Sequence, residues 1–246
     1  MNKIFFSPSE DLNKGDKIKI TGEDFRHLQV LRIRAGEEIK ISDNKNYCYS
    51  GTVSDFQKDS ISILINEKNI FGYEPNIQVI LFQSLLKGEK NEIVIQKAVE
   101  LGASEIIFFH SENCVARLND ERQDNKIERF NKVAKMAAMQ SGRDIIPTVK
   151  GILSFKEVIS ILKIQDLSMV FHEKSDSSLS LFLSDKINGC HSVAFAVGPE
   201  GGFSEEEILT FRGADIPALS LGKRILRAET APLCALSVIM AFSGEL

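Results

Sequence analysis

Over Lys17 to Ile20 (KIKI), Glu38 to Ser42 (EIKIS), Tyr47 to Val53 (YCYSGTV) and Ser60 to Ile65 (SISILI), apolar and polar positions alternate in the period-two manner of half-buried strands. Asp43 to Asn46 (DNKN) supplies a hairpin turn, and Gly22 to Gly36 (GEDFRHLQVLRIRAG) reads as a short helix followed by a basic loop. Residues 1–72 thus predict a small β-barrel-like module with one helix. Phe71 to Asn76 (FGYEPN) breaks the pattern with Gly72 and Pro75, which places a domain boundary there. From Ile77 the periodicity changes. Apolar runs (IQVILFQ, IIFFH, IPTV, LSMVFHE, SVAFAV, ALSL) alternate with helical segments near Glu89 to Leu101, Asp124 to Gln140, Phe155 to Leu162, Ser177 to Leu183, after Ser204, and from Ala231 onward. Residues 73–246 are therefore expected to form an α/β domain, a mostly parallel sheet covered by helices.

Composition changes this picture little. The apolar share of 43% and charged share of 26% are those of a globular chain, long enough for two modest domains. The longest apolar stretch, near Ala231 to Phe242, is too short to span a membrane, and the amino terminus lacks the apolar core of a signal peptide. Cys48, Cys114, Cys190 and Cys234 are widely spaced and offer no metal-ligand pattern, so they are expected to be reduced thiols in a cytoplasmic protein with no metal. A net charge of −4 argues against a uniformly basic nucleic-acid binder. Positive charge is nevertheless concentrated locally, in Arg117, Arg122, Lys126, Arg129, Lys132, Lys135 and Arg143, and again in Lys223, Arg224 and Arg227.

Two glycine loops carry the candidate chemistry. In Phe195 to Glu207 (FAVGPEGGFSEEE) an apolar run meets Gly198, Pro199, Gly201 and Gly202, then a helix start with Ser204 as N-cap and Glu207 at the capping-box position. Glu205, Glu206 and Glu207 already occupy the positive helix end, so a nucleotide phosphate is not expected there. Neither the dinucleotide fingerprint nor the phosphate-loop pattern is met. Leu219 to Pro232 (LSLGKRILRAETAP) repeats the arrangement of strand, glycine, charge and helix. Loops that end successive parallel strands converge at one sheet edge, where an uncharged or cationic ligand can be held by backbone groups and an apolar slot.

GPEGGFSEEE and LGKRILRAETA, together with QSGR (Gln140 to Arg143) and KAVELG (Lys97 to Gly102), resemble the RsmE-type ribosomal RNA uridine methyltransferases of the SPOUT superfamily, over essentially the whole chain. The resemblance implies a PUA-like RNA-binding barrel over 1–72 and a SPOUT methyltransferase domain over 73–246, its carboxyl-terminal segment threaded as a trefoil knot. It further implies S-adenosylmethionine as methyl donor, ring nitrogen 3 of a uridine in 16S ribosomal RNA as acceptor, the small ribosomal subunit as partner, and a homodimer. Met139 departs from the family, which usually has glutamate before QSGR.

On this reading the donor is bound by Phe171, His172 and Glu173, by Gly198, Pro199, Glu200 and Gly201, and by Leu221, Gly222, Ile225, Leu226 and Arg227. Glu200 either meets the donor's cation or holds the turn in shape. Methylation at a ring nitrogen requires loss of its proton, so a base or a cation that stabilises the anion is needed. Arg227 is the candidate cation. Glu229 is the candidate base or the group orienting Arg227, with helix capping beside Thr230 as the alternative. Arg26, His27, Arg32 and Arg34 in the first module, with Lys87 and Arg143 in the second, are the candidate RNA contacts, a solvated rim being the alternative. The closing helix, Thr230 to Phe242, is apolar around most of its circumference and is either wholly internal or paired with a second copy.

Overall fold

The computed structural model describes residues 2–8, 11–115 and 120–246. The chain divides into two compact units, one of Met1–Glu74 with Ala138–Ile146, the other of Pro75–Ala137 with Pro147–Leu246.

In the first unit, strands β1 (Lys3–Phe5), β2 (Lys17–Thr21), β3 (Glu38–Ser42), β4 (Tyr47–Gln57) and β5 (Ser60–Ile70) form one sheet in the order β1-β3-β4-β5-β2. The pairs are antiparallel except β1 with β3. The barrel-like module is thus a curled sheet, bent where β4 shifts register between Ser50 and Gly51 and between Val53 and Asp55. Its concave face holds Ile4, Ile20, Ile39, Ile41, Tyr49, Ile61 and Ile63, closed by Phe25 and Leu28 of α1 (Gly22–Val30). The DNKN turn forms as its chemistry dictates: Asp43 Oδ1 accepts from the backbone N–H of Lys45, Asn46 and Tyr47 at 2.8, 2.9 and 3.0 Å.

The inclusion of Ala138–Ile146 in this unit is a feature that period counting misses. Asp144 accepts from Lys3 Nζ at 2.5 Å and from the N–H groups of Gly72 and Tyr73, while its carbonyl accepts from Ser42 Oγ. Buried charge of this kind holds only with such partners.

The second unit is a six-stranded sheet in the order β11-β9-β10-β6-β7-β8, parallel in every ladder. Its elements run β6 (Gln78–Ser84), α2 (Lys90–Glu100), β7 (Glu105–Phe109), α3 (Asp120–Ser141), β8 (Thr148–Leu153), α4 (Phe155–Leu162), β9 (Leu167–Phe171), α5 (Leu179–Lys186), β10 (Ser192–Val197), α6 (Glu205–Gly213), β11 (Ala218–Leu219) and α7 (Ala231–Phe242). The chain starts at the centre with β6, works outward through β7 and β8, then returns to lay β9 and β10 on the other side. The junction between β6 and β10 is therefore a topological switch point, the place where a parallel sheet opens a crevice at its carboxyl edge. Strands β6, β7, β9 and β10 are apolar nearly throughout because both faces are covered. Among the described residues no helix is long and apolar enough to cross a membrane. The α7 helix buries Pro232, Ala235, Leu236, Ile239 and Met240 and leaves Phe242 at its end 40% exposed, so it is not wholly internal.

Candidate functional site

The carboxyl ends of β9, β10 and β11 feed three loops into a single cavity of about 510 Å³. The first contributes Phe171, His172 and Glu173, the second Gly198 to Phe203, and the third Ser220 to Glu229.

The second loop is fixed from both sides. Phe203 is buried against Phe109 and Phe211, with ring centroids 6.1 and 5.3 Å apart, which ties the turn to the core of the sheet. Ser204 then caps α6: its hydroxyl accepts from Glu207 N–H at 3.2 Å, and its own N–H donates to Glu207 Oε2 at 2.9 Å. Glu207 is only 7% exposed and also accepts from Ser111 Oγ at 2.9 Å and Glu112 N–H at 3.0 Å. The positive end of α6 is consequently filled by the protein's own carboxylate. Between strand and cap the chain doubles back sharply. Gly202 takes φ 69, and a Cβ on Gly198 would stand 3.1 Å from Phe203 N and 3.2 Å from Gly202 C, so the turn is closed around a missing side chain.

Charge at the cavity is organised by Lys90, the first residue of α2. Its Nζ lies 3.1 Å from Glu229 Oε2 and 3.4 Å from Glu200 Oε1, and the N–H of Lys87 donates to the same Glu200 oxygen at 3.1 Å. The Lys90–Glu229 contact is an ion pair off the hydrogen-bonding angle, and Glu229 Oε2 is buried without a hydrogen-bond partner. Burial pushes the Glu229 carboxyl up, but its own backbone N–H, Lys90 and Arg227 outweigh that and hold it below the usual carboxylate range. Glu200 behaves alike: burial raises it, while its own N–H, that of Lys87 and the Lys90 ammonium bring it lower on balance. Both are carboxylates at neutral pH. Burial pushes His172 down, with Lys174 and Arg212 adding to this and Glu173 and Glu205 opposing, so its ring is neutral at pH 7.

Every residue assigned from the sequence to donor binding lines this cavity, as do Arg227 and Glu229. Ile225 stands at the rim, 83% exposed, whereas Leu221 and Leu226 are half-buried. The backbone N–H of Lys87 reaches the site while its side chain is exposed. Arg26, Arg32 and Arg34 are exposed on the first unit and His27 is half-buried there. Arg143 does not fit its expected role. It belongs to the first unit, is 5% exposed, and its Nη2 is bound to Glu74 Oε2 at 2.5 Å, so its guanidinium is committed to a carboxylate and closed to phosphate. Met139 is buried as well. Arg117 lies outside the described residues.

Sequence reading assigned Lys90 no role at the site. One signal was available: a cation at the first helical position opposes the helix dipole, which calls for carboxylates elsewhere to hold it. No group of three metal-ligating side chains occurs among the described residues.

Residues 73–240 match the RNA methyltransferase domain family and residues 20–66 the RNA methyltransferase PUA domain. The ribosomal RNA small subunit methyltransferase E of Bacillus subtilis is 34% identical, across 94% of this chain and 92% of its own length. That of Mesomycoplasma hyopneumoniae is 28% identical over 89% and 91%. A crystal structure of a ribosomal RNA small subunit methyltransferase E from Neisseria gonorrhoeae bound to S-adenosyl methionine covers 98% of this chain and 97% of its own, with a TM-score of 0.88 at 29% identity.

Proposed function

The chain belongs to the RNA methyltransferase family, and we propose that it transfers the methyl group of S-adenosylmethionine to ring nitrogen 3 of a uridine in 16S ribosomal RNA. It is a methyltransferase acting on small-subunit ribosomal RNA, as its relatives are named. The observation that carries the reading is the convergence of three strand-end loops on one cavity whose helix N-terminus is closed to phosphate by Glu207.

The lining fits the donor by chemistry. Leu221 and Leu226 offer apolar surface to an adenine, Glu173 and Glu200 offer negative charge to a cationic group, and the turn at Gly198 keeps the second loop free of side-chain bulk. S-adenosylmethionine supplies an electrophilic methyl group: the N3–carbon bond forms as the sulfur–carbon bond breaks, and the N3 proton leaves. The protein's part is to align the uridine, exclude water and manage that proton. Arg227, exposed at the rim, stabilises the uridine anion, and ionised Glu229 accepts the proton or orients Arg227. Arg26, Arg32 and Arg34 engage the RNA backbone, and the base is unstacked to reach the cavity.

The same reading takes residues 1–72 as a PUA-like RNA-binding domain and 73–246 as a knotted SPOUT methyltransferase domain acting as a cytoplasmic homodimer without metal. Light scattering that gives a monomer at micromolar concentration would remove the dimer. Calorimetry with S-adenosylmethionine tests the donor site. Mass spectrometry of small subunits incubated with enzyme and donor tests the chemistry: the methyl group that replaces the N3 proton must stay with the free uracil base, and retention on the ribose would refute nitrogen 3. Arg227→Ala is expected to lower turnover at least about a hundredfold, the scale of a lost charge-stabilising contact.

A further inference from the structure

We propose that Lys90 positions Glu229 for methyl transfer. The inference rests on the reading above and extends it to a residue outside the three strand-end loops. Lys90 stands at the start of α2, yet its ammonium reaches Glu229 in the third loop at 3.1 Å and Glu200 in the second at 3.4 Å. It thereby links the β6–α2 turn to two of the three loops that wall the cavity.

Three observations set this contact apart from a surface ion pair. The Glu229 side chain is 18% exposed and its Oε2 has no hydrogen-bond partner, so a charge withdrawn from water depends on nearby cations. The groups facing it are Lys90 from α2, Arg227 from its own loop and Glu200 from the β10–α6 turn. Arg227 is exposed and is the residue assigned to the uridine, which leaves Lys90 to hold the carboxylate when the base arrives. Finally, a lysine at the first position of a helix works against the helix dipole, so the stability of α2 gives no reason for it.

Without Lys90, Glu229 would lose its anchor and take a proton more readily, because the ammonium is among the groups that keep its carboxyl low against burial. A step that needs the carboxylate would then fail first on the acid side. The experiment compares the wild-type full chain with Lys90→Met, Lys90→Arg and Glu229→Gln for donor affinity by calorimetry and for kcat, KM and the pH profile of transfer to small ribosomal subunits. Lys90→Met is expected to lower kcat about tenfold or more, to leave donor affinity and KM within about threefold of wild type on the same scale, and to move the acid limb of kcat to higher pH. Lys90→Arg is expected to recover most of kcat and the original limb, and Lys90→Met should add little to the defect of Glu229→Gln. Wild-type kcat with an unmoved limb in Lys90→Met overturns the proposal, as does a loss confined to KM for RNA, which would make Lys90 a phosphate contact. If Lys90→Met does not fold, Lys90→Gln takes its place with the same outcomes. Absence of transfer by the wild type refutes the methyltransfer reading itself, a result distinct from failure of the lysine variants alone.

Discussion

Glu207 gives the sharpest stability prediction, because one carboxylate serves a helix cap and a neighbouring strand-end loop together. Replacing it by alanine removes half of the capping box on α6 and leaves Ser111 Oγ and the N–H groups of Ser204 and Glu112 without their acceptor. Loss of a cap costs about 1 kcal/mol. A charge-assisted bond lost at a buried hydroxyl adds about 2 kcal/mol. The expected total is about 3 kcal/mol, which at about 2–4 °C per kcal/mol for a chain of this length lowers Tm by about 6–12 °C. The assay is thermal unfolding by calorimetry with and without S-adenosylmethionine, read on the transition that the donor raises, since two compact units need not melt together. Glu207→Gln should lose about half as much, because its amide keeps one acceptor oxygen but turns an N–H toward a donor. Ser111→Ala combined with Glu207→Ala should cost less than the sum of the two, since they share a bond. A fall of under about 2 °C for Glu207→Ala would refute this account of the helix end.

Two further outcomes follow from the same site. Gly198→Ala is expected to keep the fold but weaken donor affinity about tenfold or more, because the new methyl group meets loop backbone at 3.1–3.2 Å and overpacking of this kind costs about 1–3 kcal/mol; calorimetry showing unchanged affinity would contradict the closed turn. For His172 the folded-state pKa lies below its ordinary value of 6.5, so the unfolded chain takes up the proton first. Its contribution to stability is complete above about pH 6.5 and declines as pH falls below that toward the folded pKa. His172→Gln should flatten this part of the profile of Tm against pH, and an unchanged slope would show that another group is responsible.

What could be read from the sequence were features whose cause is local. Asp43 builds its turn from the next four residues, Ser204 and Glu207 form their box three residues apart, and the apolar runs of the second unit follow from a sheet covered on both faces. Convergence of the loops was legible too, because parallel strands put all their carboxyl ends on one edge. Partners distant along the chain left little trace. Arg143 after its glycine stop had every local mark of a free cation, and its pairing with Glu74, distant along the chain, decides otherwise. Lys90 failed in the opposite direction: its neighbours in α2 are unremarkable, and its place at the site comes from Glu200 in the loop after β10, the strand paired with β6, and from Glu229 in the loop after β11.

That pairing also bears on how the protein is made. Gln78 of β6 lies in register with Ser192 of β10, and the cavity wall is complete only with Glu229 near the carboxyl terminus. During synthesis the first half of the central sheet must wait, with the β10 side of β6 uncovered, until β9 and β10 have been translated. Contacts this far apart along the chain form slowly, and such a strand edge is open to mispairing in the interval. A truncated chain ending before β10 should consequently have no donor affinity, because the cavity lacks its second and third loops until the residues through Glu229 are in place.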